Sequence, residues 1–127
     1  MEGLTTVHLV LALALVASLL TALIPLLRSG WSDRVGRWMR ILAGVATAQW
    51  ILGFFVWFSS ISDGFDLFTG LLHPLAMTGV VAVAHMGAGQ AARGEDDAAK
   101  TSSARRTLLI IAVLVAALAP WRQAIGG

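Results

Sequence analysis

The sequence predicts an all-α integral membrane protein, an up-down-up-down four-helix bundle with both chain ends on the outer side (N-out/C-out). Three observations predict it. Hydrophobic residues make up 57% of the 127 positions, and they gather in four runs, most of them longer than a soluble core helix requires. Charged residues are only 13% and fall in clusters between those runs. Eight of the nine Lys and Arg lie in two of the three connections.

At this length one domain is expected, spanning 1–127. Four crossings of about 20 residues each account for nearly all of it. The first helix is read over 4–27. Its opening Met1-Glu2-Gly3-Leu4 carries no positive charge ahead of the apolar stretch, so a retained helix is expected rather than a cleaved leader. Ser29-Gly30-Trp31-Ser32-Asp33 reads as a turn with an interfacial Trp. The second helix is read over 41–61. Asp63-Gly64 is a turn signal, and Asp66 suits an N-cap for a third helix over 67–92. The polar stretch from Gly94 to Ser103 reads as a mobile loop. A fourth helix over 107–121 is short, about 22 Å against a hydrocarbon core of roughly 30 Å, and must borrow Arg105, Arg106 and Trp121 at its ends.

Orientation follows from the basic residues. Arg28, Arg34, Arg37 and Arg40 flank the first connection, and Arg93, Lys100, Arg105 and Arg106 the third, while Arg122 stands alone opposite. The positive-inside rule makes the first and third connections cytoplasmic. The isoelectric point near 10.5 therefore reports membrane orientation and not a nucleic-acid partner. The absence of cysteine excludes disulfides, iron–sulfur clusters and covalent haem attachment. The lipid bilayer is the expected partner, and a multi-pass place in a bacterial inner membrane the expected location.

Ionisable residues inside a membrane are costly and call for an account. His8 and His73 each lie just inside a helix that runs inward from the outer face, at depths of about 6 and 9 Å. Two imidazoles at one level in a four-helix bundle are the arrangement that clamps a b-type haem iron from both faces. Each could instead bond a carbonyl near the headgroups. His85 lies roughly 18 Å deeper than His73 and is turned about 120° from it, so it cannot join the same iron. An interfacial hydrogen bond is its simpler role. Met77, one turn from His73, reads as haem packing. Pro74 predicts a local kink. Gln49 should face inward, the aromatics of helix two should face lipid, and Gly44, Ala48, Gly79 and Ala82 should permit close helix approach. No Walker motif, zinc cluster or nucleophilic triad is present, and no carboxylate lies within the apolar spans.

The chain resembles a group of small bacterial four-helix membrane proteins of the cytochrome b-like type. The resemblance is loose and spans the whole chain. It rests on His8, on Ala48-Gln49-Trp50-Ile51-Leu52-Gly53, on Leu72-His73-Pro74-Leu75, on Ala84-His85-Met86-Gly87 and on Ala119-Pro120-Trp121. It implies non-covalent haem b held by His8 and His73, and electron transfer with a quinone or a respiratory-complex subunit. One departure stands out: those relatives tend to carry a histidine two residues before the helix-two glutamine, where this chain has Thr47. Two other readings remain open. One is a cofactor-free accessory subunit of a larger membrane complex, and the other is copper handling at His8, His73 and Met77. The sequence leaves open whether any catalysis, such as quinone-linked oxidoreduction, takes place, and whether the chain forms a homo-oligomer.

Overall fold

The structure, a computed structural model, describes residues 2–60 and 71–118. Four helices account for nearly all of them: α1 (Glu2–Ser29), α2 (Asp33–Ser60), α3 (His73–Ala92) and α4 (Asp97–Leu118). No strand occurs among the described residues. Each helix packs on its neighbours in a ring, α1 on α2, α2 on α3, α3 on α4 and α4 on α1, so α1 and α3 stand diagonally opposed.

Helical spacing builds the core. Leu15, Leu19, Ala22 and Leu26 recur on one face of α1, and Val35, Met39, Leu42 and Ala46 on one face of α2. Leu108, Ile111 and Val115 supply the matching face of α4, and Val80 and Ala84 that of α3. Packing is tightest toward the end of the bundle that carries the basic residues, where Val35, Met39, Leu42 and Leu108 are all but sealed.

Three helices are long and apolar enough to cross a membrane: α1 over Thr6–Ser29, α2 over Asp33–Phe58, and α3 over its whole length. Only 33%, 22% and 28% of their most apolar windows is buried within the chain. Most of each apolar surface therefore faces outward, which water penalises and hydrocarbon does not. The Ser and Thr hydroxyls agree with that setting. Ser18, Thr21, Thr47 and Thr78 each donate to the carbonyl four residues back, at 2.7–2.9 Å, so none is left bare in an apolar medium.

Several sequence-based boundaries shift. The second helix starts at Asp33 and not at 41, because Ser32 caps it through Val35 N–H at 3.3 Å, and Arg34, Arg37 and Arg40 become helical. The stretch from Gly94 to Ser103 is not a loop throughout. Asp96 accepts from Ala99 N–H at 2.8 Å and starts α4, so the polar residues after it form its first turns. Among the described residues α4 does not qualify as a membrane span, in contrast to the expected fourth crossing, and the Trp121 end lies outside them. The Asp63-Gly64 turn and the Asp66 cap also lie outside the described residues.

Gly30 makes the α1–α2 turn. Its φ of 78° is the left-handed conformation glycine favours, and its N–H bonds Leu26 O at 2.9 Å. The next residue is then clamped: Trp31 N–H donates to Thr101 Oγ1 at 2.9 Å, and the Lys100 ammonium lies 5.7 Å from its ring centre. A side chain at Gly36 would strike the Trp31 indole. The α1–α2 turn is thus fastened to the start of α4.

The expected close approaches at Gly44 and Gly79 do not occur, since a Cβ at either would meet nothing. Gly44, Ala48 and Ala82 are exposed. The close approach lies instead at Gly87, which presses on the Thr107 side chain.

Candidate functional site

His8 and His73 meet across the bundle. Their ring centres are 6.3 Å apart and the ring planes are inclined by 39°. Both residues are half-buried and come from the diagonal pair α1 and α3. Their register follows from the core: Ala12 and Leu15 lie one and two turns from His8 on the same side, and Met77 lies one turn from His73. These residues, with Gln49 of α2 and Val115 of α4, enclose a cavity of about 10 Å³.

Gln49 organises His8. The amide is buried, and its Nε2 donates to the His8 carbonyl at 3.0 Å and to His8 Nδ1 at 2.9 Å. A carbonyl can only accept, which fixes the orientation of the amide. Nδ1 must then accept as well, and the proton of a neutral His8 ring resides on Nε2. That Nε2 faces the bare backbone of Gly53, where a Cβ would come within 3.3 Å. The other end of the amide, Gln49 Oε1, is buried without a hydrogen-bond partner.

A second relay ties the first turn of α3, which carries His73, to α2. The Trp50 indole N–H donates to Thr78 Oγ1 at 2.9 Å, and that hydroxyl donates to the Pro74 carbonyl at 2.8 Å. Pro74 lies in the first turn of α3, preceded by a wide, π-type turn at Leu71–Leu72. The wide turn adjoins the place where the sequence predicts a kink. Trp50, Phe54, Phe55 and Phe58 are exposed, as a lipid-facing girdle requires.

His85 lies apart. Thr47, whose hydroxyl proton goes to Ala43 O, accepts from His85 Nε2 at 2.7 Å. The residue noted as a departure from the cytochrome-like pattern is therefore the partner of His85. Gly53 enters the sequence reading only as part of the cytochrome-like stretch, and Thr78 has no place in it. Their roles depend on the rotation of α2 and α3, which no short motif encodes.

Two imidazoles can share one metal ion. A metal–nitrogen bond of about 2.0–2.1 Å, plus roughly 1.1 Å from nitrogen to ring centre, sets trans rings about 6.2–6.4 Å apart. The observed ring-centre spacing of 6.3 Å is close to that span, with His8 Nε2 directed at Gly53 of α2 and Nδ1 bonded to Gln49. The donor set, two imidazoles with a thioether nearby and no carboxylate, fits iron in haem or a soft ion. The cavity itself is only water-sized. A porphyrin between these rings requires the His8 and His73 ends of α1 and α3 to part. No group of three or more His, Cys, Asp or Glu suited to a metal occurs among the described residues. Comparison of the chain with known protein families, with curated proteins and with solved structures returns no match.

Proposed function

We propose that this chain is a membrane b-type cytochrome that holds one haem between His8 and His73 near the outer face. The observation that carries the reading is the pairing of two imidazoles from diagonal helices at 6.3 Å. Gln49 adds support, since its buried amide holds the His8 ring from α2. A haem at this place supplies one-electron chemistry, exchanged with a membrane quinone or a respiratory partner. In this reading the bundle runs up-down-up-down in a bacterial inner membrane, with the basic ends of α1 and α3 cytoplasmic and both termini outside.

A second reading has its own observation. The cavity of about 10 Å³ beside buried Met77 suits a bare ion better than a macrocycle. Copper bound by His8, His73 and the Met77 thioether would be the outcome. One experiment separates the two. The full chain is purified from haem-replete cells, and its visible spectrum, porphyrin content and total metal are measured. A Soret band with one haem per chain, lost in His8→Ala and in His73→Ala, is expected. Copper without porphyrin establishes the second reading, and neither metal nor porphyrin leaves a cofactor-free accessory subunit.

A further inference from the structure

At the opposite, basic end of the bundle, α2 and α3 border a second cavity of about 360 Å³. Arg40 and Ala43 line it from α2, and His85, Ala88, Gly89 and Ala92 from α3. The α3 residues recur at one-turn spacing and so form a single stripe. Their small side chains leave a trough, and the two polar residues stand over it. No lining residue is acidic. A second guanidinium lies close, for a Cβ at Gly89 would meet Arg93 Nη1 at 3.1 Å. His85 borders the cavity with its Nε2–H given to Thr47.

From this arrangement we propose that the cavity is a binding site for the phosphate of an anionic phospholipid from the leaflet that faces the basic end. Several features converge on that ligand. The Arg40 guanidinium at the cavity wall and the Arg93 guanidinium beside Gly89 match a phosphate, which arginine recognises through paired N–H groups. Basic pockets between membrane helices on the cytoplasmic side are where anionic headgroups dock. The volume falls within the range of about 300–1,000 Å³ typical of small-ligand sites. The Ala and Gly wall is apolar, as the glycerol and upper acyl carbons require. Because the site lies at the far end of the bundle from His8 and His73, it does not depend on whether a metal is bound there.

The test uses the full chain in detergent, titrated with phosphatidylglycerol, phosphatidylcholine or inorganic phosphate and read by native mass spectrometry. Saturable retention of one phosphatidylglycerol, little phosphatidylcholine and no displacement by millimolar inorganic phosphate are expected. Arg40→Gln and Arg93→Gln should each weaken retention about five-fold. Arg37→Gln removes the same charge from the same end without lining the cavity and should leave retention unchanged. All three positions are exposed, so the substitutions spare the core. Equal loss in all three variants reduces the effect to surface charge and overturns the proposal. Equal retention of phosphatidylcholine, or displacement by inorganic phosphate, overturns it too.

Discussion

Replacing Gln49 with leucine tests how the candidate site is held before any ligand arrives. The substitution removes two hydrogen bonds, from Nε2 to the His8 carbonyl and to His8 Nδ1. Inside a membrane such bonds average about 0.6 kcal/mol each, so the loss is about 1.2 kcal/mol. The His8 carbonyl keeps its helical partner, because it lies within α1. The same substitution removes the unpartnered Oε1, whose burial costs about 1–3 kcal/mol. The balance leaves Gln49→Leu as stable as the parent, or up to about 2 kcal/mol more so. Reversible unfolding of the ligand-free protein in mixed micelles, followed by helicity, measures the difference. Histidine-selective 15N spectra provide the second readout. The parent should show the His8 proton on Nε2, and the variant should lose that bias. A destabilisation above about 1.5 kcal/mol would refute the reasoning, since it would mean that Oε1 has a partner such as a trapped water.

Other outcomes follow from the same geometry. On the proposed haem reading, His85→Ala should leave the absorption of the full chain unchanged, because His85 bonds Thr47 and stands apart from the paired rings. Gly87→Leu should cost about 1–3 kcal/mol by overpacking against Thr107, whereas Gly79→Ala, with nothing beside it, should be neutral or gain up to about 1 kcal/mol in thermal unfolding. The chain has no cysteine, so single-cysteine variants report sidedness cleanly. Arg34→Cys and Arg105→Cys should react with an impermeant thiol reagent only in inverted vesicles, and Thr6→Cys only in intact cells.

The membrane character and the four helices were legible because long apolar runs are a strong signal. Helix ends were less so. Hydropathy marks where lipid contacts a helix and is silent on where the helix starts, so the turns holding Arg34 and Arg37, or Asp97 and Lys100, read as loops. The meeting of His8 and His73 could be anticipated because each lies near the start of a helix running the same way. The part played by Gln49 was harder to see. Its contact with His8 depends on how α2 is rotated, and packing at Leu42 and Ala46 sets that rotation. Small residues misled for a related reason. Gly44 and Gly79 look like packing positions in sequence, yet a glycine facing lipid carries the same letter as one facing a helix.

The clamp of Trp31 between Gly36, Thr101 and Lys100 gives the molecule a mechanical polarity. The stitch joins the α1–α2 turn to the start of α4, so parting of these helices is resisted at that end of the molecule.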